Sequence, residues 1–338
     1  MKQKDKTEDK VRICFVGDLL LSFVKKDHEI LEKHFAVDVV QPPKKRNLSW
    51  LKYILALAGN IFQSDLSFCW FAGWHSVFAV FFAKLFGKKS IVVAGGFDVA
   101  DVSKINYGAF TNFKERLPSR YVLKNSDLIV SVSKSSQREL LQKIRPRENV
   151  LIYNGIPLEK FAARNSDKEA IAITVGTVKW SNLRRKGIET FVKTAQYLPN
   201  TPFVVVGKFG DDSIAYLKSI ALSNVEFTGF VSDKELLGYY QKAKIYCQLS
   251  YHESFGIAPA EAMLCRCIPV VTGRFALPEI VGDTGFYVEY GDEKATAEAI
   301  KKALDASDDL GEKARQRIKE MFPMERREKE ITRIIENG

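Results

Sequence analysis

The chain has 338 residues, 46% of them apolar and 27% charged, which excludes a disordered polymer and gives material for one large domain or two ordinary ones. Its net charge of +10 lies wholly in the first half: residues 1–162 hold 26 Lys+Arg against 16 Asp+Glu, and residues 163–338 hold 25 of each. That asymmetry reads either as a surface that keeps the chain soluble or as attraction to an anionic partner, such as an acidic lipid or a phosphorylated substrate. No zinc spacing or aromatic–basic recognition module supports nucleic acid as that partner.

The charged start, Met1–Lys10, is unlike a secretory leader, and the five irregularly spaced cysteines lead to the expectation of a reducing, cytoplasmic setting. Val11–Gly17 (VRICFVG) is a short predicted strand, and the loop Gly17-Asp18 follows it. Asp27–His34 has helical spacing, with His28 and His34 expected on the surface; Val37–Val40 reads as a strand and Asn47–Phe62 as a helix. Phe68–Ala83 (FCWFAGWHSVFAVFFA) has no charge apart from the titratable His75. It falls short of the about 18–20 apolar residues of a spanning helix, and Gly73 interrupts it. It therefore reads as a buried strand followed by a buried helix. Ser90–Ala94 and Asp127–Val132 are further strands, the first running into Gly95-Gly96-Phe97-Asp98. Ser135–Lys143 is helical, and Val150–Tyr153 is a strand ahead of Asn154-Gly155.

After the polar segment Ala162–Lys168 the alternation starts again: strands over Ala170–Val175, Phe203–Val206, Val225–Phe227, Ile245–Leu249 and Ile268–Thr272, with helices over Gly187–Tyr197, Lys234–Lys242, Gly256–Leu264, Ala295–Ala306 and Leu310–Phe322. Strand–helix repetition implies mostly parallel sheets covered by helices. Two such α/β units are expected, 1–162 and 163–322, with an amphipathic C-terminal helix over 323–338 returning to the first through Ile331, Ile334 and Ile335. Five irregularly spaced cysteines argue against a disulfide framework, and Cys265 and Cys267, without a second ligand pair, read as packed thiols.

The stretch that points to chemistry is Glu253–Glu261, ESFGIAPAE. It lies where a strand ends and a helix begins, and its two carboxylates are roughly 12 Å apart if helical throughout, about the length of a sugar–diphosphate–ribose unit. The helix N-terminus between them offers N–H groups and a positive dipole end to phosphate. Gly256 allows close backbone approach, and Pro259 fits only the first turn. A carboxylate accepts well from ribose hydroxyls.

ESFGIAPAEAM resembles the Glu-x7-Glu signature of retaining GT-B glycosyltransferases, in particular the GT4 group. LIYNGIPLEKF (151–161), TVGTVKWSNLRRKG (174–187), FVVVG (203–207), FTGF (227–230) and IPVVTGRFALPE (268–279) fit in order. The likeness covers nearly all of 150–292 and is weaker over 11–150. It implies two Rossmann-like α/β/α domains facing a central cleft, the first binding acceptor and the second a nucleotide-sugar donor. By the resemblance Glu261 binds ribose, Glu253 lies near the donor sugar, and the backbone of Phe255, Gly256 and Ile257 meets sugar or diphosphate. Lys186, after Gly176, counters the diphosphate charge, and Gly229 and Phe230 fall where the base is read. No cofactor or metal is expected. Thr177 stands where the family often has Arg, and Arg184 or Arg185 can substitute. Phe71 stands near the position of a frequent histidine; His75 is the nearest candidate, against a purely structural role. The loop Gly17-Asp18 faces diphosphate and acceptor in the family but lacks the usual Gly-Gly pair.

The expected partners are a nucleotide-sugar donor, a glycan or lipid-linked acceptor, and an anionic membrane surface. The last rests on Lys25-Lys26, Lys44-Lys45-Arg46 and Lys88-Lys89 beside apolar helices such as Ser49–Ala58, against ordinary surface lysines. The protein would then sit peripherally on the cytoplasmic face. The competing function is a nucleotide-sugar-binding regulator without turnover.

Overall fold

The computed structural model describes residues 10–43, 48–163 and 167–337. Its strands are β1 (Arg12–Val16), β2 (Ala36–Val40), β3 (Leu66–Trp70), β4 (Lys89–Ala94), β5 (Leu128–Ser131), β6 (Asn149–Leu151), β7 (Glu169–Val175), β8 (Phe203–Val206), β9 (Val225–Gly229), β10 (Ala243–Gln248), β11 (Ile268–Thr272) and β12 (Phe286–Val288). They form two six-stranded sheets, ordered β2-β1-β3-β4-β5-β6 and β12-β11-β10-β7-β8-β9. Every pairing is parallel. Parallel strands need helical crossovers, which cover both faces. Hence β3, β5, β8 and β11 are buried at every position, and their sequences run apolar without alternation.

The chain divides into two compact units at 152/153, not at the expected 162/163. The first runs through Asp101, resumes over Gly108–Ile152 and takes in the chain from Glu328; the second holds Val102–Tyr107 and Tyr153–Arg327. The final helix, Met324–Glu336, thus gives its first turn to the second unit, where Arg327 donates from Nη1 to the Tyr153 carbonyl at 2.9 Å. The rest belongs to the first unit, where Ile331 and Ile335 are buried and Ile334 is half-buried.

Helices in the first unit are Ser22–His34, Ser49–Gln63, Trp74–Leu85, Phe113–Asn125 and Lys134–Lys143. Phe113–Asn125, a helix with Pro118 inside it, is absent from the sequence reading. The Asn112 side chain caps it by accepting from Lys114 N–H, and Pro118 packs into the interior. His28 corrects an expectation: it faces inward with Asp27 and Leu31, its ring 5.3 Å from that of Phe15. His34 meets Glu328 at 2.8 Å, joined by Lys33 at 3.0 Å, so this end of the helix anchors the C-terminal helix. Trp74–Leu85 is a second correction. It is not a buried helix: Ala79, Val80 and Ala83 face the core, but Trp74, Phe81 and Leu85 are exposed. The call on Lys44-Lys45-Arg46 lies outside the described residues.

Candidate active site

Ligands of open parallel sheets gather at strand carboxyl ends, where strand order reverses. In the first sheet that point lies between β1 and β3. Gly17 ends β1 under tight packing, since a Cβ there would come 2.8 Å from Val24 Cγ1. Asp18 folds its own turn by accepting from the Leu20 N–H at 3.0 Å. The loop after β3 holds Phe71 in the left-handed region, φ 66°, uncommon for a residue with a bulky side chain. It is locked from several sides. Ser76 Oγ donates to the Phe71 carbonyl and Ser119 Oγ to the Ala72 carbonyl, both at 2.6 Å. Buried Asp98 accepts from the N–H groups of Ala72 at 2.9 Å and Gly96 at 2.8 Å, tying the β3 and β4 loops together. Strained backbone held in place by its surroundings clusters at functional sites. His75 belongs to the same assembly: its Nε2 is 2.8 Å from the Trp70 carbonyl, and burial pushes its pKa down.

In the second sheet, counting from β7, the order is that of a dinucleotide-binding fold, with the reversal between β7 and β10. Three glycines bring the strand ends on one side close together. The Gly207 N–H donates to the Gly229 carbonyl at 3.2 Å, and a Cβ on Gly207 would strike the Gly176 carbonyl. These contacts account for the glycines of FVVVG, FTGF and TVG.

The run WSNLRR is a short helix, Trp180–Arg185, that ends on Lys186. The Lys186 stem crosses Gly176, whose Cβ would lie 3.0 Å from Lys186 Cδ. Two backbone contacts fix its register against the chain leaving β10: Tyr251 N–H donates to the Arg185 carbonyl at 2.8 Å, and Gly187, φ 70°, lies directly against the Leu249 carbonyl. The residue is half-buried, with its ammonium enclosed. Burial pushes its pKa down, while the carboxylates of Glu253 and Glu261 both pull it up. So the structure brings together the three residues singled out first.

Glu253 is held from behind by a directed chain of hydrogen bonds. Tyr246 donates to Gln248 Oε1 at 2.7 Å, Gln248 Nε2 donates to Ser250 Oγ at 2.7 Å, and Ser250 donates to Glu253 Oε2 at 3.3 Å. Burial, then the charges of Glu253 and Glu261, keep the Tyr246 pKa well above its usual value, so it remains a donor. Glu261 projects from the helix Ile257–Leu264 and accepts from Tyr240 at 3.4 Å. Gly256, φ 109°, lets the chain turn into that helix, and Phe255 anchors the turn, its ring packed on Phe322 and Tyr153. The first-turn N–H groups point along the helix axis without intrahelical partners.

The arginines divide. Arg185 is committed, bonding Asn182 Oδ1 at 2.9 Å and stacking 5.0 Å over the Tyr107 ring. Arg184 is exposed, and its carbonyl accepts from Tyr290. Phe230 is 80% exposed beyond Gly229. Sequence reasoning missed Tyr107, whose ring also lies 5.2 Å from that of buried His252, because Val102–Tyr107 reaches this unit from far off in sequence. It also missed Tyr246 and Gln248, although a glutamine ending an apolar strand is a signal in itself.

Residues 156–321 match the family described as glycosyl transferases group 1. The chain is 24% identical over 229 residues to the serotype-specific mannosyltransferase WbdA of Escherichia coli, a stretch covering 60% of this chain but only 28% of that relative. It is 25% identical over 285 residues to an uncharacterized glycosyltransferase of Methanocaldococcus jannaschii, covering 78% of this chain and 72% of the other. Among solved structures, Anabaena HepE superposes with a TM-score of 0.79 at 17% identity, over 97% of this chain and 100% of that one. The architecture is the GT-B fold of two Rossmann-like α/β units.

Proposed function

We propose that this chain transfers a sugar from a nucleotide-diphosphate sugar to an acceptor hydroxyl with retention of anomeric configuration. The observation that carries the reading is Lys186, its stem laid across Gly176 and its charge interacting with the carboxylates of both Glu253 and Glu261, which bracket the start of the helix Ile257–Leu264. Glu261 accepts the ribose hydroxyls, and Gly229 and Phe230 border the base. The N–H groups of Phe255, Gly256 and Ile257 meet the diphosphate, with Arg184 as a second cation at its edge. As the bond from the anomeric carbon to the diphosphate breaks, charge builds on the leaving oxygen and Lys186 stabilises it. The acceptor oxygen bonds to the same face of that carbon, and its proton passes to the departing diphosphate. Glu253, held by Ser250, orients the donor sugar. In the first unit, Gly17, Asp18 and the loop after β3 are assigned to the acceptor, a lipid-linked or membrane-proximal glycan on the cytoplasmic side. His75 positions that loop. Because side chains and backbone supply the counter-charge, the reading asks for no metal, and turnover is expected to persist in excess EDTA.

HepE was solved with UDP and glucose and with UDP-glucose, which makes UDP the first nucleotide to try. Thermal unfolding with UDP, GDP or ADP tests the donor site. Ligand at about 100 times its Kd stabilises by roughly 2.7 kcal/mol. One nucleotide should raise the wild-type melting temperature, and Glu261→Ala should abolish the shift. If no nucleotide shifts the wild type, the donor assignment fails. If one does but no sugar nucleotide is ever turned over, the chain is a regulator.

A further inference from the structure

The two helices that cover the β1–β3 side of the first sheet are apolar on both faces. Ser49–Gln63 turns Tyr53, Leu57 and Ile61 to the core. Its outer face carries Leu51, Leu55 and Phe62, with Leu48 just ahead of it, and Leu55 and Phe62 are each 65% exposed. Trp74–Leu85 repeats the pattern, with Phe81 48% and Leu85 61% exposed. The helices lie side by side: Trp50 packs on Phe78 at 6.2 Å, Phe62 on Phe86 at 5.4 Å, and Tyr53 donates to the His75 carbonyl at 3.0 Å. Their outer faces therefore form one surface. A surface helix ordinarily turns charge to water, as Asp308–Met321 does here with DDLGEKARQRIKEM. Contiguous exposed apolar area of this kind marks an interaction site.

Charge identifies the occupant. Neither helix contains an acidic residue. Lys52 and Lys84 are exposed on the outer faces, with Lys88 following, and none of the three pairs with a carboxylate among the described residues. A second copy docked face to face would press these unpaired cations together in an apolar interface. An anionic lipid surface instead satisfies both chemistries, taking apolar side chains at the acyl boundary and lysines at lipid phosphate. No helix among the described residues is long and apolar enough to cross a membrane, so the contact is with the interface.

We propose that the outer face of helices Ser49–Gln63 and Trp74–Leu85 is a docking surface for anionic lipid bilayers, with Leu51, Leu55, Phe62, Phe81 and Leu85 inserted and Lys52 and Lys84 against the headgroups. The proposal goes beyond sugar transfer and does not require it. The full chain is incubated without nucleotide with phosphatidylglycerol vesicles, or with phosphatidylcholine vesicles, and floated on a density gradient. Wild type should float with the anionic vesicles, weakly with the neutral ones. Leu55→Ser/Phe81→Ser should lose at least tenfold in partitioning with an unchanged melting temperature. Lys52→Gln/Lys84→Gln should lose the preference for anionic lipid. No flotation at low salt, or equal flotation of the Leu55/Phe81 variant, would overturn the proposal. So would a dimer in light scattering that the same variant dissolves, which would give the face to a second copy.

Discussion

Replacing Lys186 with methionine is expected to lower turnover about 100- to 1,000-fold, the usual loss when one preorganised group facing developing negative charge is removed. The protein should remain at least as stable as wild type, because methionine fills the space of the stem over Gly176 and an enclosed charge is no longer kept from water. The direction of the pKa fixes the pH dependence. Burial lowers it, so the folded chain binds this proton less tightly than the unfolded chain does. The charge costs stability below the folded pKa, and that cost fades as pH rises from there into the ordinary lysine range. Activity runs the other way, since only the ammonium counters the diphosphate. The wild-type kcat/KM profile should therefore fall on its alkaline side at a pH below that of an ordinary lysine, and Lys186→Met should lack that limb. Undiminished kcat in the variant would remove Lys186 from the chemistry.

The parts of the site legible in the sequence are those built from short-range rules. Glu253–Glu261 announces a strand end, a glycine entry and a proline-tolerant first turn within nine letters, and the structure places the helix start at Ile257. Apolar runs such as FVVV and IPVVT mark buried parallel strands because covered sheets have no polar face. What escaped needs tertiary knowledge. His28 looks like a surface residue until the helix face is assigned by packing on Phe15. The backing of Glu253 depends on Tyr246, Gln248 and Ser250 extending from one strand end into one loop, and the stacking of Tyr107 on Arg185 depends on a distant excursion. The outer faces of Ser49–Gln63 and Trp74–Leu85 misled for another reason. An apolar pattern reports avoidance of water, and both a protein core and a lipid surface meet that demand.

Gly187→Ala is expected to be the most disruptive single methyl addition at the site. At φ 70° an alanine is strained by about 1–2 kcal/mol. Its Cβ would also land on the Leu249 carbonyl, and because that neighbour is backbone no rotamer change relieves the collision. Together these should destabilise the second unit by on the order of 3 kcal/mol, a fall of roughly 6–12 °C in its melting temperature. Activity should fall further than stability alone explains. The same contact sets the register between β10 and the end of Trp180–Arg185, and moving Leu249 draws Lys186 away from Glu253. The lysine–glycine pairing thus has a mechanical basis: the chain directly after Lys186 lies so close to the Leu249 carbonyl that it leaves no room for a side chain at 187. Gly238→Ala is the control. It lies inside the helix Asp233–Lys242 with open space where a Cβ would go, so alanine there should stabilise by about 0.5–1 kcal/mol and leave turnover unchanged. If Gly187→Ala instead behaved like Gly238→Ala, the close approach to Leu249 would not be what places Lys186.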